Sequence, residues 1–207
     1  MLRALVVSLL LAVPAFAADW RVDGEVDGVK VELREVEGSK FEEARLTTTA
    51  DAPLSALCDA VLGRTARPAE KDGVKKRKVL KDTETERITY EQIALPLVSD
   101  RDYVLDLKVE KPASSGRCEI SVTTIDDPAH PQAPGHVRMK FIHAYWTLVP
   151  NEKGTVDITY VLHSDPGGSV PAVFTRLGAK RAAVDSMKTI LARAREAPSA
   201  AAPAATK

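Results

Sequence analysis

From residue 74 to residue 163 the chain runs through one apolar–polar alternation after another, and then changes once to helical spacing. Side chains on a strand point to opposite faces in turn, so this pattern specifies strands with one dry face. We expect them over 74–81, 85–95, 102–110, 117–125, 137–149 and 155–163. Two more come earlier. Val29, Val31 and Leu33 alternate with Lys30, Glu32 and Arg34, and 41–49 is rich in β-formers. A short helix is expected over 53–62, with Asp51 as N-cap and Gly63 as its stop. Residues 64–73 read as a polar connection with room for one helical turn. The last helix covers about 171–195: Val170, Leu177, Val184 and Leu191 recur every seven residues, and Val173, Phe174 and Met187 widen the stripe. At 1.5 Å per residue such a helix is about 34 Å long, enough to lie along the whole sheet. The fold class is α+β, a curved antiparallel sheet packed against a long C-terminal α-helix.

The separators between these strands alternate in character. Residues 82–84, 114–116 and 151–154 are short and polar, whereas 96–101, 126–135 and 164–171 are longer and rich in Pro or Gly. Successive connections of an antiparallel meander lie at opposite ends of the sheet. The long loops therefore share one end, and loops longer than a turn requires are where binding sites concentrate.

Tyr103, Leu105, Leu107 and Val109 form one apolar face of their strand, opposite Asp102, Asp106, Lys108 and Glu110. If 151–154 is a simple turn, Tyr145 faces Tyr160 and His143 faces Leu162. Met139, Phe141 and His143 then share a side with Tyr160 and Leu162, and Phe174, Leu177 and Val184 approach from the helix. Plain core is one reading of such a stripe. A pocket is the other, because one helix fills a strongly curved sheet poorly. The hydroxyls of Tyr90, Tyr103 and Tyr160 and the His143 imidazole also need partners if buried. Apolar walls with a few convergent polar groups are what a small-molecule pocket requires.

Composition narrows the partners. With 29 Lys+Arg against 29 Asp+Glu the formal charge is zero, so the broad positive field that nucleic-acid binding uses is missing. Hydrophobic residues at 44% exclude disorder for the chain as a whole. Residues 1–17 read as a cleavable export signal: Arg3, an apolar run about half as long as the ~20 residues that span a bilayer, then Ala15-Phe16-Ala17. Residues 197–207 read as a disordered Ala/Pro-rich tail, leaving 18–196 as one domain, expected to be monomeric and periplasmic or secreted. Export makes a Cys58–Cys118 disulfide permissible, two small buried hydrophobes being the alternative. No GxSxG, HExxH, GxGxxG or P-loop pattern occurs, and His130, His136, His143 and His163 lack close ligand spacing, so neither cofactor nor metal is expected. The basic run Lys75-Lys76-Arg77-Lys78 reads as a solvated edge strand, with transient docking to anionic headgroups as the alternative.

The stretch Leu95-Pro96-Leu97-Val98-Ser99-Asp100-Arg101-Asp102-Tyr103-Val104 resembles the strand-entry motif of START (StAR-related lipid-transfer) domains. Val137-Arg138 followed by Tyr145-Trp146-Thr147-Leu148-Val149-Pro150 resembles the penultimate strand of that family. Thr155-Val156-Asp157-Ile158-Thr159-Tyr160, then Asp165-Pro166-Gly167-Gly168-Ser169-Val170-Pro171, resembles its last strand and the loop into its helix. The resemblance implies a helix-grip fold with a tunnel for one lipid. It also implies a gate at Leu97, Val98, Arg101, Gly167, Gly168 and Val170, with the two glycines either a hinge or simply a turn. Leu107 stands where some sterol-carrying members have a charged residue, so their buried ion pair is not expected here.

Three functions follow. The first is an exported, non-catalytic carrier or sensor of one lipid, fatty acid or sterol-like ligand. The second is a cyclase- or hydrolase-like enzyme on the same fold, using His143, Tyr103 or Tyr160. The third is a partner-binding protein with a solid core. Hiding ~400 Å² of apolar ligand would contribute roughly 10 kcal/mol before entropy losses.

Overall fold

Period-two patterning is realised as ten strands in one sheet. The computed structural model describes residues 19–65, 68–95, 98–170 and 172–196, without the side chains of 69, 71 and 172–179. The export signal, the tail, Leu97 and Pro171 lie outside these residues, as do the side chains of Phe174 and Leu177. In chain order the elements are β1 (Arg21–Val26), β2 (Val29–Arg34), β3 (Glu43–Ala50), α1 (Leu54–Val61), β4 (Val74–Asp82), β5 (Glu86–Ile93), β6 (Asp100–Lys111), β7 (Cys118–Thr124), β8 (His136–Arg138), β9 (Phe141–Pro150), β10 (Val156–Asp165) and α2 (Ala172–Glu196). The sheet runs β1-β2-β3-β10-β9-β7-β6-β5-β4 with antiparallel neighbours, and β8 pairs parallel with β6 off that path. As the meander requires, the β4–β5, β6–β7 and β9–β10 turns share one end. The long loops and the entry to α2 share the other.

Four differences from the sequence expectation have physical causes. β1 is an additional edge strand, mostly exposed and bent by a bulge at Gly24, so it carries little amphipathic signal. The expected strand 137–149 is two, because β8 leaves the meander to pair with β6. Helix α1 starts after Pro53, whose φ of −57° suits helix entry, and it has no side-chain cap; Asp51 does not cap it. The β9–β10 connection is five residues, 151–155. The Asn151 Oδ1 accepts the N–H groups of Lys153 and Thr155, drawing Thr155 into the turn. Tyr145 consequently pairs with Val161 and His143 with His163, one residue away from the simple-turn register.

That single slip exchanges the faces of β9. Ile142, Ala144, Trp146 and Leu148 point inward with Ile158, Tyr160 and Leu162, whereas Phe141, His143 and Tyr145 point outward. The concave face carries the core. Helix α2 lies on it beside α1, β2, β3 and β10, with Ala183, Val184, Met187, Ile190 and Ala194 buried at helical spacing. Met187 and Leu148 are fully buried, each contributing about 1.5–3 kcal/mol of apolar transfer. Cys58 of α1 and Cys118 of β7 form a disulfide with Cα atoms 6.2 Å apart, tying α1 to the sheet.

Candidate ligand-binding site

Central strands gripped by a helix should be dry on their inner face. Most of this face is dry, but not all. Leu105 of β6, Thr124 of β7, and Ile142 and Ala144 of β9 are neighbours on the concave side and stay partly exposed. They cluster toward the loop end, while Leu107, Ile120, Trp146 and Leu148 deeper in are buried. Tyr160 stacks on Trp146 with ring centroids 3.8 Å apart, and burial pushes its hydroxyl pKa up to about 12, against a hydrogen bond to Ser186. Val184 and Leu162 are buried on the same side.

Two adjacent residues, Arg101 and Asp102, organise the loop end from opposite faces of β6. Arg101 is 1% exposed. Its Nε donates to Pro166 O (3.1 Å), its Nη2 to Gly167 O (3.1 Å) and its Nη1 to Ser99 O, so it staples the β5–β6 loop to the segment entering α2. All three of these acceptors are backbone carbonyls. Asp102 is fully buried on the convex side. It accepts from Arg138 Nε (2.9 Å) and Nη2 (3.0 Å), from the Ala133 N–H (2.8 Å) and from the Tyr90 hydroxyl (3.2 Å). Burial opposes the Asp102 charge, but these donors prevail and hold its pKa below the usual carboxylate value. Gly167 and Gly168 have φ of +69° and +63°, and a Cβ at Gly167 would lie 2.7 Å from Arg138 O. The pair is packed on β8, so glycine is required there by close approach as well as by the turn.

A polar chain crosses the concave face at the level of Tyr103, between Leu105 and Arg101. The Tyr103 hydroxyl donates to Glu91 Oε2 (3.1 Å), and Arg77 Nε donates to Glu91 Oε1 (2.6 Å). Arg77 also pairs with Asp72 (3.5 Å), which receives Arg193 of α2 at 2.7 Å, while Arg193 Nη1 donates to Ala60 O (2.9 Å). Burial and the Glu91 charge raise the Tyr103 pKa well above its ordinary value, so it remains a neutral donor.

The structure thus brings Tyr103, Leu105, Leu107, Tyr160, Leu162 and Val184 together on the concave face. Four expected lining residues are elsewhere. Tyr90 pairs with Val104 across β6, points to the convex side and stacks on His130 of the long 126–135 loop at 5.4 Å. Phe141 and His143 face outward because of the five-residue turn, stacked at 5.0 Å, and His143 is exposed. Met139 belongs to neither β8 nor β9; its N–H donates to Asp102 O. Val98, Arg101, Gly167, Gly168 and Val170 gather at the loop end. Sequence reasoning missed Trp146, Glu91, Arg77, Asp72 and Arg193 as members of this face. The available signal was a charged residue on each strand face, which amphipathic reading assigns to solvent. Among the described residues no group of three or more His, Cys, Asp and Glu side chains is placed to hold a metal ion, and no helix is long and apolar enough to cross a membrane.

The START domain family model matches residues 75–199, which is most of the sheet and all of α2. The chain belongs to the START family. An uncharacterised protein of Pseudomonas aeruginosa is 33% identical over 162 residues, covering 76% of this chain and 78% of that one. Among solved structures, this START domain is similar to a STAR-related lipid transfer protein fragment from Xanthomonas axonopodis, 29% identical with a TM-score of 0.73, covering 86% of this chain and 99% of that one. Human StAR-related lipid transfer protein 5 shares the fold at 20% identity and a TM-score of 0.72, covering 86% of each chain. The ZhuI aromatase/cyclase from Streptomyces shares the fold more distantly, at 11% identity and a TM-score of 0.52, covering 74% of this chain and 93% of that one. The START fold supports binding of a hydrophobic ligand in general terms, and a related fold carries an aromatase/cyclase.

Proposed function

We propose that this protein carries or senses one hydrophobic ligand held between the concave sheet and α2, without transforming it, after export by the leader at 1–17. One observation carries the reading. A patch of inner-face side chains on central strands (Leu105, Thr124, Ile142, Ala144) remains uncovered beneath the loop end, where Arg101 ties two loops together. An apolar chain seated there removes that surface from water, and parting the two loops lets it leave. Contact with a membrane is then transient, at release, and the carrier works as a monomer.

The enzyme reading has less to use. His143 is outside the concave face, Tyr103 is held neutral, and both carboxylate oxygens of Glu91 are engaged, by Arg77 and Tyr103. The decisive experiment is to produce the full chain with its leader in a bacterial host. The exported product is then analysed by native mass spectrometry and its organic extract identified. We expect a monomer beginning at residue 18 with one hydrophobic adduct. A product that carries nothing, and takes up nothing from a total lipid extract, overturns the carrier reading.

A further inference from the structure

On β5 the buried concave face is Arg87, Thr89 and Glu91, while the more apolar Ile88 and Tyr90 face the other way. Charge placed inside a sheet needs a partner. Along the concave side of β4 and β5 four guanidinium groups meet three carboxylates: Arg64 and Arg87 share Asp82 at the turn end (2.9 and 3.0 Å), and nearer the loops, at the level of Tyr103, Arg77 and Arg193 share Asp72 and Arg77 also holds Glu91. Arg193 presses against Gly63, where a Cβ would stand 3.4 Å from its Nη1. Among the described residues, Arg64, Arg77 and Arg193 are the cations whose charge reaches Arg87.

Arg87 is the member left incomplete. It is 8% exposed, it pairs with the outlying Asp82, and among the described residues its buried Nε–H has no acceptor. Across the ladder it sits opposite Leu107, on the concave side that continues through Leu105 to Arg101. From Leu107 to Arg101 that strand spans about 20 Å at roughly 3.3 Å per residue, the reach of an extended long alkyl chain. A guanidinium edge with such an Nε–H beside other cations suits an oxyanion.

We propose that the turn end of the interior, at Arg87, is an oxyanion subsite. Arg87, backed by Arg77 and Arg193, receives the anionic head of a single-chain amphiphile, and the tail runs along Leu107 and Leu105 toward the loops. The shared chemistry is a carboxylate or a phosphate on one alkyl chain. The proposal rests on the ligand-carrying reading above and names its ligand class.

The test is displacement of a fluorescent polyene fatty acid from the delipidated, exported protein by palmitic acid, palmitoyl lysophosphatidic acid and methyl palmitate. Wild type should bind one of the two acids at least about tenfold tighter than the neutral ester; which acid leads distinguishes carboxylate from phosphate. R87Q should bring that acid down to the affinity of the ester, and R87K should restore part of the difference. Equal binding of acids and ester by wild type overturns the subsite while leaving the carrier reading intact, and it needs no variant to fold. An undiminished acid preference in R87Q also overturns it. Failure of the probe and all three lipids to bind also overturns the subsite, and the carrier reading falls with it only if the protein takes up nothing from a total lipid extract.

Discussion

Replacing Arg101 by methionine keeps most of the side chain's length and removes every donor. In the native protein the buried guanidinium donates to three carbonyls, those of Ser99, Pro166 and Gly167. Hydrogen bonds from a charged donor contribute about 1.5–3 kcal/mol each, so three sum to roughly 4–9 kcal/mol. Against this stands the cost of desolvating a cation with no carboxylate beside it, several kcal/mol, and burial does depress the Arg101 pKa. The difference is about 3 kcal/mol lost in R101M, or roughly 6–12 °C in Tm for a domain of this size. Two loops are parted by the same change, so exchange of a bound acyl probe should accelerate. Thermal melts and stopped-flow probe exchange on wild type, R101M and R101K read both effects. If R101M melts within about 2 °C of wild type and exchanges its ligand no faster, the staple is not what holds this end closed.

G167A should cost roughly 2 kcal/mol or more in urea unfolding, from left-handed backbone strain and the approach to Arg138 O. At Gly116, φ +84° with nothing within 4 Å, alanine should cost only about 1–2 kcal/mol. Reducing the Cys58–Cys118 bridge, which closes a separation of 60 residues, should lower stability by about 4 kcal/mol, read as a shift in urea midpoint with and without reductant. D102N should destabilise by about 3 kcal/mol at neutral pH. The folded pKa of Asp102 lies below its unfolded value, so its contribution is present above about pH 4 and is lost as pH falls through the folded pKa. The gap between wild type and D102N should therefore narrow below about pH 4, and a gap that stays constant down to pH 3 would contradict the Asp102 assignment.

The meander, its two unlike ends and the long gripping helix were all legible, because period-two alternation and loop length are local properties of the text. Which face of each strand turns inward was less so. On β6 the apolar set Tyr103, Leu105 and Leu107 is the concave set, as polarity suggests. On β9 both faces are bulky, and the register was decided by the Asn151 side chain pulling Thr155 into the turn, a detail that hydrophobicity does not carry. On β5 the polarity rule reverses: Ile88 and Tyr90 face the convex side, where the 126–135 loop covers Tyr90, while Arg87, Thr89 and Glu91 line the interior. That reversal is tolerable only because Arg77, Asp72 and Arg193 arrive from β4, the turn before it and α2 to complete the charge pattern. Contacts joining elements over a hundred residues apart cannot be read from local spacing. A sequence specifies a fold best where every level agrees, and its local violations collect where something other than stability was selected. In this START domain the violation on β5 carries Arg87, a buried donor left incomplete among the described residues, and it is where ligand chemistry should be sought first.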